Sequence, residues 1–294
     1  MKPGPFVHHA PRTVEEAVAL LGEHGHDGKV LAGGQSLIPV LNMRLANPGH
    51  LVDVNRVEGL DAVEVTGETV RVGALVRHAG LERHDAAFDA LPLLRQALRN
   101  VAHPAIRNRG TTVGSIAHAD PAGEMPAVAV LTGAVVEAAG PRGRREIDAA
   151  DFFLGPLETT LEPDELVVAV RFGRLPPGTR TGFLEAARRH GDYALAGVAV
   201  AVRTEDEEVA EARAGFVSVT PVPSVLDLSP ALSGRRTDDL PLDDVADLVL
   251  GHVDPESDIH ASAEYRAMLA AELTRRALAS VARAPADAAT EGAA

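Results

Sequence analysis

The sequence predicts an α+β protein in two parts, and three observations carry that reading. Up to about residue 172, amphipathic helical patterns alternate with short β-rich runs, as in a chain that packs helices against sheets. Gly173 to Gly178, with Pro176 and Pro177, then interrupts the pattern as a linker. Beyond it strands come first and helices last, giving an antiparallel sheet plus helices. The expected limits are 1–175, with subdomains at about 1–55 and 56–175, then 179–284 and a mobile tail at 285–294.

Each element has its own signal. Thr13 and Glu16 form a capping-box pattern before Ala17, Val18, Leu20 and Leu21, which predicts a helix over 13–24. Gly22, Gly25 and Gly28 punctuate its exit, and Lys29-Val30-Leu31 leads to a break at Gly33-Gly34. Leu37, Ile38, Val40, Leu41 and Leu45 read as a buried segment, and Leu51 to Val54 as a short strand. Alternation over 60–76 around Thr66-Gly67-Glu68 is a hairpin signature. Helical character runs from His78 to Leu98; His78, His84 and His103 lack metal-ligand spacing and read as surface or cap residues. From Ala127 an apolar run suggests a short helix entering a strand, Arg142 to Arg145 a basic hairpin tip, and Phe152 to Pro156 an aromatic turn. Leu166 to Phe172 reads as a β-branched strand. Strands are expected at Ala194–Val202 and Ala214–Thr220, with the acidic turn Glu205–Glu208 between them. Residues 243–250 and 261–283 read as helices, the latter with Tyr265, Leu269, Leu273 and Leu278 on one stripe.

Composition narrows the function. A net charge of −14 argues against a nucleic-acid backbone as ligand, though not against one small nucleotide held by backbone amides. The chain has no cysteine, so it can offer neither a disulfide, an all-cysteine iron–sulfur cluster, a cysteine-based zinc site nor a cysteinyl-flavin bond. The first residues lack the apolar core of a signal peptide and no run reaches membrane-spanning length, which predicts a soluble cytoplasmic protein.

Two small-residue stretches carry the chemistry. LAGGQSLIP places two glycines and two side-chain donors after a strand, where backbone N–H groups can converge on an anion. It is neither a Rossmann fingerprint nor a Walker loop, and Gly-Gly alone reads equally as a plain turn. RNRGTTVGSIAHADPAGEM supplies a second such loop, so a diphosphate could be clamped from both sides.

AGGQSLIP, RLANPGHLVD and RGTTVGSIAHADPAGEMPAV resemble the FAD-binding medium subunit of molybdenum hydroxylases, the carbon monoxide dehydrogenase and xanthine dehydrogenase family. PFVHHAPRTVEEAVALL, RRHGDYALAGVAVAV and EYRAMLAAELTRRAL extend the likeness over nearly the whole chain. The resemblance implies a two-subdomain FAD-binding domain of the vanillyl-alcohol-oxidase-like type, then a smaller α+β flavoprotein domain. It implies FAD as cofactor, and electrons arriving from two [2Fe–2S] clusters of a small subunit that is fed by a molybdenum large subunit, in a dimer of heterotrimers. It maps the diphosphate loop onto Ala32, Gly33, Gly34, Gln35 and Ser36. The second loop maps onto Gly110 to Ser115, with Thr111, Gly114 and Ser115 as contacts. Thr112 and Val113 depart from the family's usual Ile-Gly, so that half of the clamp must use φ below zero or stand further from the phosphates. Asp120 and Glu124 match acidic positions that accept from ribityl or ribose hydroxyls; Asp120 reads equally as an N-cap before Pro121. Val101, Ala102 and Leu166 match the adenosine side, and Tyr193 a residue near the isoalloxazine ring. No catalytic or metal-binding residue is assigned. Two other readings stay open at this point: a stand-alone flavin oxidoreductase, and a flavin-free structural subunit of the same complex.

Overall fold

The structure is a computed structural model that describes residues 2–283, so the expected tail at 285–294 lies outside the described residues. The first sheet is parallel and three-stranded. Strand β1 (Val7–His9) is followed by helix α1 (Val14–His24), strand β2 (Gly28–Leu31), helix α2 (Leu37–Asn42) and strand β3 (His50–Asp53). The strand order β1-β3-β2 puts β3 in the centre, paired in parallel with both neighbours. Helix α1 forms where its cap predicts. Thr13 Oγ1 accepts from Glu16 N at 3.1 Å, and Glu16 Oε2 accepts from Arg12 N at 2.7 Å. Such a cap stabilises a helix by about 1 kcal/mol. Ala17, Val18 and Leu21 face inward, and Gly25 ends the helix at φ +52°, a conformation that suits glycine.

The second sheet is antiparallel and five-stranded. Strands β4 (Val63–Val65) and β5 (Thr69–Gly73) form the expected hairpin, closed by Thr66 N donating to Thr69 O at 2.9 Å. A run of helices follows: α3 (His78–Glu82), α4 (Asp85–Ala90), α5 (Leu93–Leu98), α6 (Pro104–Arg107), α7 (Thr112–His118) and α8 (Glu124–Leu131). The chain then returns through β6 (Val135–Gly140), β7 (Gly143–Asp148), α9 (Ala149–Phe152), the small pair β8 (Phe153–Gly155) and β9 (Glu158–Thr159), and β10 (Leu166–Gly173). Strand order β4-β5-β10-β6-β7 makes β10 the central strand, buried on both faces, which its unbroken LVVAV run permits.

The third sheet is an antiparallel meander of β11 (Thr179–Ala186), β12 (Ala196–Glu205), β13 (Glu208–Val217) and β14 (Val225–Asp227). The hairpin between β12 and β13 turns on Asp206 and Glu207, both at positive φ, the geometry of a two-residue primed turn. Three helices complete the chain: α10 (Ser229–Leu232), α11 (Leu242–His252) and α12 (Ala263–Arg283). Period-two alternation divides β12 between two cores. Ala196, Val198, Val200 and Val202 pack with α11 and α12, while Ala199 and Ala201 face the core of the first two sheets. Gly215 of β13 lies against α8, where a Cβ would stand 3.3 Å from Ala127 O and from Leu131 Cβ. Gln96 Nε2 donates to Thr181 O at 3.1 Å and Ser218 N to Pro121 O at 2.8 Å across the same junction.

Several expectations need correction. The stripe of α12 runs through Arg266, Ala270, Leu273, Thr274, Ala277, Leu278 and Val281, and Tyr265 lies exposed off it. Arg266 can be buried because it donates to Leu195 O and to Asp258 Oδ2, each at 2.8 Å. The segment after Gly34 is not buried as a unit: in the six-residue helix α2 Leu41 points inward while Ile38 is exposed, because so short a helix at a cleft edge presents only one side to the core, and Leu45 lies exposed beyond its end. His78 is neither surface nor cap but core. His84 does cap, its Nδ1 accepting from Ala87 N at 3.2 Å, and His103 is exposed.

Candidate functional site

Strands β2 and β3 end side by side, Leu31 paired with Asp53, and the chain opens a cleft of about 420 Å³ at these carboxyl ends. That is where parallel sheets expose backbone groups to ligands. The cleft is lined by Leu31 to Gln35, Ile38 and Pro39 of α2, Asp53 at the end of β3, Asn55 after it, and Arg109 from the second loop.

The two glycines serve different ends. A Cβ on Gly33 would stand 2.5 Å from Arg109 O and 2.7 Å from Gly110 Cα, so this glycine lets the two loops touch. Gly34 has φ +74°, where side chains are strained. Gln35 folds back, its Nε2 donating to Gly33 O at 3.0 Å. Among the described residues the backbone N–H groups of Gly33, Gly34 and Gln35 meet no acceptor. Ser36 begins α2 without a side-chain cap bond and does not line the cleft.

The second loop is built as a helix start. Thr111 caps α7, its Oγ1 accepting from Gly114 N at 3.0 Å, and a Cβ on Gly114 would press on that oxygen at 2.5 Å. Val113 is buried in the first turn of α7 and takes helical backbone, the φ-below-zero outcome. His78 supports the loop from beneath: its N donates to Gly110 O at 3.0 Å, and its Nδ1 lies 3.2 Å from Thr112 Oγ1. Burial, with Arg107 as a nearby charge, pushes this imidazole down to about 4.

A polar chain ties the loops together. Asn55 Nδ2 donates to Ala32 O at 2.8 Å and to Asp53 Oδ1 at 2.6 Å. Its Oδ1 accepts from Arg77 Nη2 at 2.5 Å, and Arg77 Nη1 donates to Arg109 O on the other loop. Both partners of Arg77 are neutral groups, and burial followed by the charge of Arg109 lowers its proton affinity. Arg109 lines the cleft and Arg77 stands behind the two loops, so two guanidinium groups set against the one carboxylate of Asp53 favour an anion there. Unpaired loop amides, a close-packed glycine turn and the two guanidinium groups fit the diphosphate of a dinucleotide.

The other expected residues gather elsewhere. Val101 is buried and Ala102 adopts φ +43°; their carbonyls accept from Arg107 Nη1 at 3.0 and 3.1 Å. Gly191 packs there, where a Cβ would meet His103 Cε1 at 2.5 Å and Ala102 C at 3.1 Å. That contact brings the Gly-Asp-Tyr turn to the first part of the chain, and Tyr193 lies 69% exposed within electrostatic reach of Asp120 and Glu124. Asp120 is not an N-cap: its Oδ1 accepts from Ala122 N at 2.9 Å in an Asx turn, and Gly123 caps α8. Glu124 opens α8, and burial, then Asp120, raises it to about 7. Glu185 of β11 joins this group. Burial, then Glu124, pushes it up to about 8, and its Oε2 is buried without a donor. Leu166 lies inside the core at the start of β10, paired with Ala139, away from the cleft lining. Sequence reasoning missed Asn55, Arg77, Arg109 and Glu185. For Asn55 a signal existed, since the residue after a parallel strand neighbouring the Gly-Gly strand must share its carboxyl-end cleft.

Loops of this build around an arginine-edged cleft define a protein that holds a dinucleotide cofactor. Comparison with known proteins resolves the family. Residues 4–175 match the FAD binding domain in molybdopterin dehydrogenase, and 182–281 the CO dehydrogenase flavoprotein C-terminal domain. The chain is 41% identical over 270 residues to the nicotine 6-hydroxylase medium subunit of Paenarthrobacter nicotinovorans, covering 92% of this chain and 94% of that one. It is 38% identical to caffeine dehydrogenase subunit beta of Pseudomonas sp. strain CBB1, covering 95% of both. The carbon monoxide dehydrogenase structure from Hydrogenophaga pseudoflava superposes with a TM-score of 0.90 at 37% identity, over 96% of this chain and 98% of that chain. This chain therefore belongs to the family of FAD-binding medium subunits of molybdenum hydroxylases, and it is an oxidoreductase subunit whose cofactor is FAD.

Proposed function

We propose that this chain is the electron relay of such an enzyme, taking electrons from the [2Fe–2S] clusters of a small partner subunit and passing them to an external acceptor. A large molybdenum subunit oxidises the substrate, and the three form a dimer of heterotrimers in the cytoplasm. The observation that carries this reading is a cofactor cleft in a chain with no thiolate at all. It covers 94–97% of relatives whose names mark them as single subunits of larger enzymes, such as the carbon monoxide dehydrogenase medium chain. Iron–sulfur ligation must then come from another subunit.

Bound FAD supplies the exchange between one-electron and two-electron chemistry. The residues of the chain position it and tune its surroundings. The amides of Ala32 to Ser36, backed by Arg109, hold the diphosphate from one side, with Thr111, Gly114 and Ser115 of the second loop opposite. Asn55 and Arg77 fix the spacing of the two loops, as their hydrogen bonds suggest. Val101, Ala102 and Leu166 belong to the adenosine side, Asp120 and Glu124 accept from cofactor hydroxyls, and Tyr193 edges the ring. Domain limits of 1–175 and 179–284 follow from the same reading.

The test is reconstitution. Isolated chain should show no substrate-driven bleaching of its flavin, and addition of a cysteine-rich small subunit plus a molybdenum large subunit should restore it. Bleaching by substrate in single-chain protein free of molybdenum and iron by metal analysis would overturn the relay.

A further inference from the structure

Three histidines meet at a place the cofactor cleft does not use. His9 closes β1, His24 closes α1 and His50 opens β3. One ring nitrogen from each lies within 4.8 Å of those of the other two. His9 Nε2 and His50 Nδ1 are 2.9 Å apart, a distance that requires a proton between them. The His24 ring stacks on His50 with centroids 3.6 Å apart at 11°, and its Nε2 is buried with no partner.

Protein packing alone gives a poor account of this cluster. A buried ring nitrogen without a partner costs free energy, and His24 Nε2 is one. Asp27 stands behind His50. Its Oδ1 accepts from Gly49 N at 2.7 Å and its Oδ2 lies 4.0 Å from His50 Nε2. That spacing is too long for a hydrogen bond, so Asp27 contributes a nearby negative charge that favours a cation among the three rings.

We propose that His9, His24 and His50 form a binding site for one divalent transition-metal ion, with zinc the best match and cobalt and nickel as close substitutes. Neutral imidazoles suit these ions, and zinc sites use three protein ligands with a fourth position for water. Metal–nitrogen bonds of about 2.0–2.1 Å require nitrogens roughly 3.4 Å apart in a tetrahedral site. Binding thus replaces the His9–His50 hydrogen bond and tilts His24 out of the stack. The ion joins the end of α1 to the two strands beneath it and stabilises the parallel sheet without touching the flavin loops.

The experiment uses untagged, flavin-loaded chain stripped with a chelator and titrated with cobalt and zinc chloride near pH 7.5. Calorimetry should give one site, cobalt should develop the visible absorption of a nitrogen-ligated ion, and zinc should raise Tm. His9→Ala, His24→Gln and His50→Ala should each weaken binding more than about 10-fold, with flavin content and circular dichroism unchanged. His8→Ala and His26→Ala, on either side of the cluster, should bind as wild type. If the titration of the wild-type chain matches that of the His9/His24/His50 triple variant, or if His24→Gln binds with full affinity, the site is refuted.

Discussion

Arg77 donates to the side-chain oxygen of Asn55 at 2.5 Å while its other terminal nitrogen donates to the carbonyl of Arg109. Asn55 in turn holds the carbonyl of Ala32. Two loops separated by some seventy residues are thereby held in register by two side chains. Asn55→Leu removes both halves of this link while nearly preserving volume. We expect flavin affinity to fall by about 10-fold or more, in line with the loss of two hydrogen bonds of roughly 1 kcal/mol each. Fluorescence titration of stripped protein with FAD checks it; wild-type affinity in the variant would mean that the loops hold their spacing without Asn55.

Gly33 should tolerate nothing larger. Alanine there places a Cβ 2.5 Å from Arg109 O and must push the second loop away, an overpacking cost of about 1–3 kcal/mol. Gly34→Asp adds a charge at φ +74° beside Leu31 and Ile38, where the diphosphate should approach. Both variants are expected to fold and to purify colourless. Full flavin content in Gly34→Asp would reduce the loop to an ordinary turn.

These two glycines show how much of the site was legible. The sequence offered the loops, because glycine pairs and small-residue runs are local signals. It did not offer Arg77 or Glu185, because nothing local marks an arginine that bridges loops or a glutamate that a separate sheet carries inward. His78 was misread for the same reason: its neighbours in sequence are polar or small, and only the fold places Gly110 and Thr112 over its ring. Asn55 lay between these cases, readable once β2 and β3 are known to be parallel.

Colour should leave the chain on acid denaturation. No cysteine is present to bond the flavin, and His50 is hydrogen-bonded to His9 away from the cleft. His118 ends α7, is partly buried and does not line the cleft either. Yellow polypeptide after acid precipitation and filtration would disprove non-covalent binding.

Stability should be limited on both sides of neutrality. His78 is neutral in the folded state down to about pH 4 but takes a proton near pH 6.5 when unfolded. Its contribution is therefore present above pH 6.5 and lost as pH falls toward 4. Glu185 has the opposite sign: raised to about 8 when folded, it disfavours the folded state progressively as pH climbs from 4.5 to 8. Glu185→Gln should raise Tm at pH 8 by about 2–4 °C, the effect of ~1 kcal/mol in a chain of this size, and change little at pH 5. Equal shifts at both pH values would show that the carboxyl does not titrate in this window.

Tyr193 should matter to rate more than to binding. Tyr193→Ala is expected to retain nearly full flavin while altering the reduction potential or the acceptor rate, measured by spectroelectrochemistry and stopped flow. An unchanged spectrum and oxidation rate would assign Tyr193 to packing.

The split allegiance of β12 makes its sheet a party wall. With Val198 and Val200 serving one side and Ala199 and Ala201 the other, neither compartment can be dismantled without laying the other open. A protease that nicks the proline-rich crossing at 173–178 should leave two fragments that elute together and melt together, and genetic separation of the two halves should yield insoluble material.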